Sequence, residues 1–323
     1  MKHLVTGGAG FLGLHLATAL AASGDSVDLA DDLSRGALDA DLEGFLQRPG
    51  VRLIRCDLAK PEPWRAWDDA YDGVFHLAGI VGVRNVLAQP DRVLAANARS
   101  VLNVVEWFCA SGSRKLFFAS TSEVYAWTAQ FHPIPVPTPE AVPLAVDDVG
   151  NERASYALSK TFGEMAVTHA CRRAGKAFAI ARYHNVYGPR MGMDHVIPEL
   201  LKRLDSGARP VEVYSPEERR AFCYVSDAVQ AMLGLMRDGV KSGTYNIGND
   251  REEIRIEDLA RLVFELAGAP DAPMVPVVRP GAGIARRCPD LSRLAAGTGF
   301  RPAVPLREGV RRTIDWYRRN PAC

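Results

Sequence analysis

A tyrosine and a lysine stand four positions apart in the chain, as Tyr156 and Lys160. On a helix this spacing puts the phenol and the ammonium group on one face, about one turn apart. A tyrosine with its ordinary pKa of about 10 is a poor base at neutral pH, but a neighbouring cation favours the phenolate. The pair can therefore take a proton from a substrate hydroxyl, although the same spacing also arises by chance on ordinary amphipathic helices.

A second polar segment, Ser120-Thr121-Ser122-Glu123, follows a predicted strand, with Thr121 35 residues before Tyr156. Thr121 supplies a hydroxyl that would orient the reacting alcohol. Glu123 supplies a carboxylate that could act as an additional acid or base, or that could simply bind backbone at the strand end. We therefore predict one catalytic set, made of Thr121, Glu123, Tyr156 and Lys160.

Three glycines, at positions 7, 10 and 13, lie between the first predicted strand and the first predicted helix. This spacing allows a tight turn, a close approach of pyrophosphate to the backbone and close packing of the helix on the strand. The helix N-terminus adds free N–H groups and the positive end of its dipole. The motif predicts a bound dinucleotide, with the candidate ligands Gly7, Gly10, Phe11, Leu12 and Gly13.

Two acids, Asp31 and Asp32, follow the second predicted strand. A carboxylate at this position accepts hydrogen bonds from the ribose hydroxyls of NAD and repels the 2′-phosphate of NADP. We expect Asp31 to bind the ribose and NAD to be the cofactor, while the nearby Arg35 leaves NADP as an alternative. After the third predicted strand, Asp57 and Leu58 are candidates for contact with the adenine edge, where a solvated loop is the simpler alternative.

The elements that must hold these residues alternate along the first half of the chain. Strands are predicted at 3–6, 27–30, 51–56, 73–77, 115–119 and 177–182, and helices at 11–23, 91–111 and 155–175. Apolar strands that alternate with helices predict an α/β fold with a Rossmann-type, doubly wound parallel sheet. The proline-rich segment 130–144 is predicted to be a loop.

Beyond about residue 183 the pattern loosens into helices and short strands. We predict a smaller, mixed C-terminal lobe over the carboxyl ends of the sheet, where ligands bind in open α/β folds. The predicted domains are a cofactor-binding Rossmann domain of residues 1–182, to which 222–250 returns, and a substrate-binding lobe of residues 183–221 and 251–323.

The charge balance and the cysteines exclude several kinds of partner. The 323 residues carry 39 basic and 38 acidic side chains, so no strong field attracts nucleic acid or an anionic membrane. Six scattered cysteines without a C-x-x-C pair, and seven histidines without ligand spacing, predict neither a metal site nor disulfides. The N-terminus runs straight into a strand and no apolar run is long enough to span a membrane, so we expect a cytoplasmic protein.

Seven motifs occur in a fixed order along the chain. They are T-G-G-A-G-F-L-G at 6–13, H-L-A-G at 76–79, S-T-S-E-V-Y at 120–125, Y-A-L-S-K at 156–160, N-V-Y-G-P-R at 185–190, R-A-F-C-Y-V-S-D at 220–227 and Y-N-I-G-N at 245–249. With them the chain resembles, over nearly its whole length, the extended short-chain dehydrogenases that epimerise, dehydrate or decarboxylate nucleotide sugars. The resemblance implies a tightly held NAD that takes a hydride from C4 of the sugar and returns it. It also implies that Tyr156 is the base, Lys160 its electrostatic partner and ribose ligand, and Thr121 its hydroxyl partner.

The same resemblance implies further ligands on both sides of the site. On the cofactor side they follow the fourth strand and lie on the next helix: Leu77, Ala78, Gly79 and Asn97. On the substrate side four groups would surround a nucleotide diphosphate: Asn185, the backbone near Val196, Arg220 and Arg287. Two guanidinium groups can clamp a diphosphate through bidentate bonds, although each arginine taken singly could be a solvated surface residue. Arg84 falls where relatives approach the sugar, and it could bind a hydroxyl or a carboxylate.

Family members commonly pair two of their helices in a two-fold, four-helix interface. The corresponding helices of this chain, around 93–110 and 155–174, carry more apolar residues than one buried face requires. The resemblance therefore implies a homodimer, with the alternative that both helices simply pack on their own sheet.

Once C4 is a ketone, the residues nearby decide the reaction. Simple 4-epimerisation needs only Tyr156, Thr121 and room for the keto sugar to rotate, whereas elimination or decarboxylation at C5–C6 needs an extra acid or base, for which Glu123 is the candidate. The segment 121–123 is similar to decarboxylases and GDP-mannose-type dehydratases, but it departs from dTDP-glucose dehydratases, which carry Asp where this chain has Ser122. The segments after residues 76 and 190 match neither pattern closely.

The leading hypothesis is therefore 4-epimerisation of a nucleotide-linked hexose or hexuronate. Dehydration of a nucleotide sugar, or decarboxylation of UDP-glucuronate through Glu123, is a close alternative. Two other classes remain. One is an oxidoreductase for a steroid or flavonoid ketone, which the pair Arg220 and Arg287 disfavours. The other is a non-catalytic Rossmann protein that senses its cofactor, which the intact catalytic set disfavours.

Overall fold

The computed structural model describes residues 1–35, 38–278 and 284–320. The strands, numbered along the chain, are β1 (Lys2–Thr6), β2 (Ser26–Asp31), β3 (Val51–Arg55), β4 (Gly73–His76), β5 (Lys115–Thr121), β6 (Ala177–Tyr183), β7 (Val186–Tyr187), β8 (Val211–Tyr214), β9 (Arg219–Ala221), β10 (Cys223–Tyr224), β11 (Gly243–Ile247), β12 (Glu253–Arg255), β13 (Met274–Val277) and β14 (Arg286–Arg287). The helices are α1 (Phe11–Ala22), α2 (Ala40–Leu46), α3 (Val83–Ala88), α4 (Pro90–Ala110), α5 (Thr128–Phe131), α6 (Ala154–Ala174), α7 (Val196–Asp205), α8 (Val225–Met236), α9 (Ile256–Leu266), α10 (Ser292–Thr298) and α11 (Leu306–Arg319). Short 3₁₀ turns cover Pro63–Ala66 and Ser122–Tyr125.

Seven of the described strands form one parallel sheet, in the spatial order β11-β6-β5-β4-β1-β2-β3. The chain first builds outward from β1 to β3, and then returns to the other side of β1 to place β4, β5 and β6. At such a reversal of strand order a cleft opens above the carboxyl ends of the strands. The predicted α/β fold with a Rossmann-type sheet is confirmed.

Both faces of this sheet are covered by helices. Val5 and Phe75 lie in one buried cluster with residues of α1 and α8. Their chain neighbours Leu4 and Val74 lie in a second cluster, with residues of α4 and α6. Successive strand residues point to opposite faces, so a strand buried on both faces is apolar along its whole length. This double burial explains why the central strands are continuous apolar runs in the sequence.

Helix α6 carries the tyrosine and lysine of the predicted catalytic pair. It starts at Ala154, so Tyr156 and Lys160 lie in its first two turns. A helix that connects two parallel strands runs antiparallel to them, and its N-terminus therefore lies at the carboxyl edge of the sheet. The helix ends at Gly175, whose φ of +64° provides the left-handed cap that favours glycine. This placement brings both side chains to the cleft.

The C-terminal lobe has a core of its own, built mainly from α7, α9, α11 and the paired strands β8 and β13. Ile197, Phe264 and Ile314 are among its fully buried side chains. A three-stranded sheet in the order β12-β9-β14 borders the cleft. Its register places Arg220 directly beside Arg287, although 67 residues separate them in the chain (287 − 220 = 67).

Short helices account for the differences from the sequence prediction. Helix α5 takes the first two residues of the predicted loop 130–144, and α2 lies in a segment for which no helix was predicted. Both are at most seven residues long, too short for a hydrophobic period to stand out in the sequence. Across the described residues, no helix combines the length and the apolar character needed to cross a membrane.

Candidate active site

The glycine-rich turn between β1 and α1 forms the floor of the cofactor side. Gly7 has a φ of +69°, and a Cβ there would lie 2.7 Å from the backbone nitrogen of Ala78. A Cβ on Gly13 would lie 2.1 Å from the carbonyl oxygen of Gly7, so α1 packs against the turn only because this residue is glycine. No side chain caps the N-terminus of α1 at Gly10, which leaves its first N–H groups open to phosphate oxygens. The turn therefore fits the pyrophosphate of a dinucleotide.

The two acids after β2 have different surroundings. Asp31 accepts hydrogen bonds from the backbone nitrogens of Ala9, at 3.0 Å, and Leu33, at 2.9 Å. Burial raises the pKa of Asp31, while these two hydrogen bonds oppose that rise. Asp32 is exposed and caps only the backbone nitrogen of Ser34, at 2.9 Å. Asp31 thus lies against the glycine-rich turn and Asp32 does not, and the assignment of the ribose to Asp31 stays a prediction.

Arg35 extends across the cleft, away from the two acids. Its Nη1 donates a hydrogen bond to the carbonyl oxygen of Val81, at 3.2 Å. Its positive charge acts to lower the pKa of Tyr156, so the guanidinium faces the catalytic side of the cleft. Arg35 in this position does not provide the 2′-phosphate site that the NADP alternative requires.

Asn97 holds the segment that follows β4. Its Oδ1 accepts a hydrogen bond from the backbone nitrogen of Ile80, at 2.7 Å, and its Nδ2 donates to the carbonyl oxygen of Ile80 and to Ser159, both at 3.1 Å. These bonds use most of the capacity of the amide group. Asn97 therefore positions Leu77, Ala78 and Gly79 along the groove and ties them to α6.

The predicted adenine contacts differ in their placement. Leu58 is 6% exposed and belongs to the core on the α4 and α6 side of the sheet, so its side chain serves packing and only its backbone remains available to a ligand. Asp57 accepts a hydrogen bond from the backbone nitrogen of Ala59, at 3.0 Å, and stays partly exposed beside the cleft.

Thr121, Tyr156 and Lys160 meet at the carboxyl end of β5. The hydroxyl of Thr121 lies near enough to the phenol of Tyr156 to act to lower its pKa. Lys160 is 4% exposed, and its Nζ lies 5.2 Å from the centre of the Phe118 ring and 3.3 Å from the position of a Cβ on Gly79. The ammonium group thus points at the cofactor groove, where a ribose ligand is expected. Burial lowers the pKa of Lys160 to about 8.

The protonation of Tyr156 differs from the expectation for an isolated tyrosine–lysine pair. Burial and the nearby charge of Glu123 raise the pKa of Tyr156, and the Thr121 hydroxyl and Arg35 only partly oppose them. Lys160 is not among the groups that shift this pKa. The expected lowering of this pKa combined Lys160 with a positively charged nicotinamide ring, so it stays a prediction for the enzyme with NAD bound.

Glu123 is an ionised carboxylate, held in place by an arginine. It opens the 3₁₀ turn after β5, where its backbone nitrogen donates to the Thr121 hydroxyl at 3.2 Å. Its side chain forms an ion pair with Arg287, which is only 11% exposed. Burial would raise the pKa of Glu123, but Arg287, Arg153 and Arg220 together hold it below its usual value. The alternative that Glu123 only binds backbone is wrong, because its carboxylate faces these cations.

Arg220 and Arg287 lie side by side on the neighbouring strands β9 and β14. Arg220 pairs with Glu218 and donates to the carbonyl oxygen of Ile284, at 2.9 Å. Burial and the charge of Arg287 lower the pKa of Arg220 to about 10. The Nε of Arg287 is buried without a hydrogen-bond partner among the described residues. Two adjacent guanidinium groups with an unused donor are suited to an anion, and the diphosphate as their ligand stays a prediction.

The structure places the remaining predicted substrate ligands on three different segments of the chain. Asn185 lies between β6 and β7 with a φ of +43°, and its Nδ2 donates to the carbonyl oxygen of Ala221, at 3.3 Å. Val196 is the first residue of α7. Arg84 lies on the exposed side of α3 and lines an open cleft of about 460 Å³ against α7, so its contact with the sugar stays a prediction.

Two residues at the site were missed by sequence reasoning. Tyr183 ends β6 opposite Thr121, and its hydroxyl is buried without a partner in the described residues. Arg153 precedes α6 by one position and contributes to the cation cluster around Glu123. The signal for Arg153 was its place three residues before Tyr156, on the same side of the helix start. For Tyr183 the signal was a polar ring at the end of a central strand.

Metal ligands and disulfides were not expected from the sequence. Within residues 1–35, 38–278 and 284–320, no group of three histidine, cysteine or acidic side chains is arranged to hold a metal ion. The five described cysteines are free thiols, and Cys323 lies outside the described residues.

Comparison with known proteins agrees with this geometry. The model of the NAD-dependent epimerase/dehydratase family matches residues 3–248. The chain is 30% identical to a UDP-N-acetyl-α-D-glucosaminuronate decarboxylase of Bacillus cytotoxicus, with 98% of this chain and 97% of that protein covered. It is 31% identical to UDP-glucuronic acid decarboxylase 1 of Xenopus tropicalis, with 98% and 72% covered. The solved UDP-glucose 4-epimerase of Thermus thermophilus in complex with NAD is similar with a TM-score of 0.82 and 29% identity, with 98% and 99% covered. The resemblance seen in the motifs is thereby confirmed, and the chain belongs to the NAD-dependent epimerase/dehydratase family of enzymes.

Proposed function

We propose that this enzyme is an NAD-dependent decarboxylase of a nucleoside-diphosphate-linked uronic acid. The observation that carries the proposal is Glu123, which is ionised beside Tyr156 and enclosed by arginines. The decarboxylases among the relatives cover 98% of the chain, which supports the same reaction. The leading hypothesis from the sequence was 4-epimerisation. Decarboxylation is the better supported reaction and replaces it.

The charge of this cluster suits an anionic substrate. Arg153, Arg220 and Arg287 all act on Glu123, and Glu218 pairs with Arg220. Three guanidinium groups against two carboxylates leave one net positive charge, and a charge removed from water is costly unless it has a partner. The diphosphate of a nucleotide sugar supplies that partner, so the choice of a uronate rests on Glu123 and on the decarboxylases among the relatives.

The catalytic set has a defined task at the sugar O4. NAD, which the glycine-rich turn, Asp31 and Lys160 would hold, would supply reversible hydride transfer at C4. Tyr156 takes the proton from O4 as C4 becomes a ketone, and the Thr121 hydroxyl holds O4 in line with the phenol. Lys160, which faces the groove beside Gly79, holds the cofactor side of the same site.

A 4-keto uronate is a β-keto acid, which determines what the second half of the site must do. The C5–C6 bond breaks, its electron pair moves toward the C4 carbonyl, and carbon dioxide leaves. C5 then takes up one proton. Because Glu123 is ionised, it does not itself carry that proton. We assign it the task of fixing Arg287 and orienting a proton-donating water at C5.

Product analysis with a panel of nucleotide sugars tests the proposal. UDP-glucuronate and UDP-N-acetylglucosaminuronate, labelled with ¹³C at C6, should release labelled carbon dioxide and yield the corresponding UDP-pentose. UDP-glucose serves as the matched substrate without a carboxylate. Formation of UDP-galactose from UDP-glucose, with no carbon dioxide from either uronate, would contradict decarboxylation. It would instead support 4-epimerisation, the second candidate, which needs only Thr121, Tyr156 and the cofactor and is the activity named for the solved relative.

The outer faces of α4 and α6 support a homodimer. Leu94, Leu102, Phe162 and Met165 are large apolar side chains that are 40%, 47%, 41% and 58% exposed. A self-complementary apolar patch on two adjacent helices fits a two-fold interface. Met165→Glu should shift the protein to monomers in light scattering, and a monomeric wild type would contradict the proposal.

The free thiols of the described cysteines support the further proposal of a cytoplasmic location.

A further inference from the structure

The C-terminal lobe contacts the glycine-rich turn directly, through Arg190. This residue follows β7 and has a φ of +65°, which directs its side chain back toward the Rossmann domain. Its Nε donates a hydrogen bond to Oδ2 of Asp39, at 2.7 Å, and its Nη1 donates to the carbonyl oxygen of Ala9, at 3.2 Å. The side chain of Arg190 is 7% exposed and that of Asp39 is 19% exposed, so the ion pair is largely shielded from water.

Ala9 is held on both of its peptide groups. Its nitrogen donates to Asp31 at 3.0 Å, and its carbonyl oxygen accepts from Arg190 at 3.2 Å. In a planar peptide the carbonyl and the next N–H point in opposite directions, so a fixed Ala9 carbonyl also fixes the N–H of Gly10. That N–H bonds to the carbonyl oxygen of Gly7, at 3.1 Å, and closes the turn. Arg190 and Asp31 together therefore determine the shape of the phosphate-binding turn.

Two more hydrogen bonds join the C-terminal lobe to the Rossmann domain without contacting the glycine-rich turn. Nε2 of His15, on α1, lies 3.0 Å from the carbonyl oxygen of Pro189. Nε1 of Trp316, on α11, donates to Oδ2 of Asp41, at 2.9 Å. These bonds hold the lobe against α1 and α2 on either side of Arg190. A substitution that removes one of these two bonds is therefore a control, because it weakens the contact between lobe and domain without changing the turn.

We infer that Arg190 is a positioning residue for the cofactor. From the C-terminal lobe it holds the Ala9 carbonyl away from the phosphate site and keeps the turn in its binding shape. The lobe that is expected to bind the nucleotide sugar is thereby also part of the NAD site. A carbonyl free to turn toward the phosphates would place a partial negative charge against them. This inference concerns the cofactor and does not depend on which sugar is the substrate.

Binding of NAD to protein stripped of nucleotide tests the inference. Arg190→Gln removes the positive charge and hydrogen-bond donors, whereas Arg190→Lys keeps the charge. The control Trp316→Phe removes the one hydrogen bond from Trp316 to Asp41. Because a charge-assisted hydrogen bond to the turn is lost, Arg190→Gln should weaken NAD binding by about tenfold or more in calorimetry. Arg190→Lys should recover part of this loss, and Trp316→Phe should stay within about twofold of the wild type.

Thermal unfolding and saturation kinetics separate positioning from general stability. Since NAD stabilises only the folded protein that binds it, the rise in Tm on adding NAD should shrink in Arg190→Gln. At saturating NAD, kcat should recover to within about twofold of the wild type, because the turn then closes around its ligand. If Arg190→Gln does not fold, Asp39→Asn, which weakens the same ion pair, takes its place.

Two results would overturn the inference. One is an NAD affinity of Arg190→Gln equal to that of the wild type. The other is an equal loss of NAD affinity in Arg190→Gln and Trp316→Phe, which would mean that the boundary as a whole, and not Arg190, supports the turn.

Discussion

The cofactor side and the substrate side of the cleft are built in different ways. On the cofactor side the main groups are backbone N–H donors of the turn and of α1, with Asp31 as the principal charge. On the substrate side the main groups are partly buried, charged side chains, with Glu123 paired to Arg287 next to Arg220. A backbone cradle depends on the shape of a short segment. A charge cluster depends on every member, because removing one leaves its partner unpaired in a partly shielded site.

This contrast predicts where substitutions act. Changes on the cofactor side should alter the affinity for NAD and leave the chemistry intact. Changes on the substrate side should alter which product forms. Tyr156 lies where the two sides meet, so it should affect the first chemical step itself.

The largest expected effect comes from Tyr156→Phe. The ring and its packing remain, but the group that takes the proton from O4 is gone, so C4 oxidation should slow by roughly two to four orders of magnitude. Circular dichroism should show an unchanged fold. Rapid-mixing absorbance at the start of turnover measures the oxidation step, and a rate near that of the wild type would remove Tyr156 from the catalytic set.

Glu123→Gln should have a smaller and more selective effect. The substitution removes the negative charge that fixes Arg287 and that raises the pKa of Tyr156, while the Thr121 and Tyr156 side chains are kept. We expect release of carbon dioxide to slow by about one to two orders of magnitude, with C4 oxidation preserved and a 4-keto sugar accumulating. Glu106→Gln, an exposed carboxylate on α4, is the matched control.

Mass spectrometry of the products in deuterated water checks this separation of steps. Each decarboxylated product molecule should carry one deuterium at C5, and Glu123→Gln should form this product more slowly than the wild type. If the variant turns over at the full rate and its product has no deuterium at C5, 4-epimerisation is the better supported reaction. The substrate side would then not control a step that follows C4 oxidation.

The two neighbouring acids after β2 provide a paired test of the cofactor side. Asp31→Asn removes the charge from the carboxyl that bonds to Ala9 and would bind the ribose, so NAD affinity should fall by about tenfold. Asp32→Asn changes an exposed cap and should stay within about twofold. Calorimetric titration measures both, and equal losses would refute the assignment of the ribose to Asp31.

The smallest expected effect is a pH dependence of stability that Lys160 imposes on the cofactor-free protein. Burial lowers the pKa of Lys160 from 10.5 to about 8. Between these pH values the unfolded chain binds a proton that the folded chain has lost, so the contribution of this group to the unfolding free energy rises with pH. The penalty for burying the lysine is complete below pH 8 and disappears as the pH approaches 10.5.

The comparison of wild type with Lys160→Met isolates this contribution. Their difference in unfolding free energy should change by about 1 kcal/mol between pH 8 and pH 9, in favour of the wild type at the higher pH. Urea unfolding at a series of pH values measures it. Parallel curves for the two proteins would contradict a lowered pKa.

The sequence was most informative where the signal is local. The glycine spacing, the acid after β2 and the tyrosine–lysine pair each depend on residues within one turn or one strand–helix connection. Alternation of apolar strands and helices likewise predicted six of the strands in the central sheet. Physical rules of this kind need no knowledge of the distant chain.

The substrate side was harder because its contacts join distant segments. The ion pair of Glu123 and Arg287 spans 164 positions, and the hydrogen bond of Arg190 to Ala9 spans 181. Neither pairing follows from the residue types alone, since many arginines in the chain could reach an acid. The sequence therefore offered Glu123 as an acid or base, and only the fold revealed a carboxylate held ionised by arginine.

Strand β11 has a consequence for how the molecule unfolds. The chain leaves the sheet after β6, builds β7 to β10 with α7 in the other lobe, and returns to pair β11 with β6. A fragment that ends at residue 182 would lose this neighbour and expose the unpaired N–H and C=O groups of β6 as a sheet edge. It would also lose α8, which covers apolar residues of α1. Residues 1–182 are therefore not a complete folding unit, and the central sheet can form fully only after the segment that carries α8 and β11 has been added.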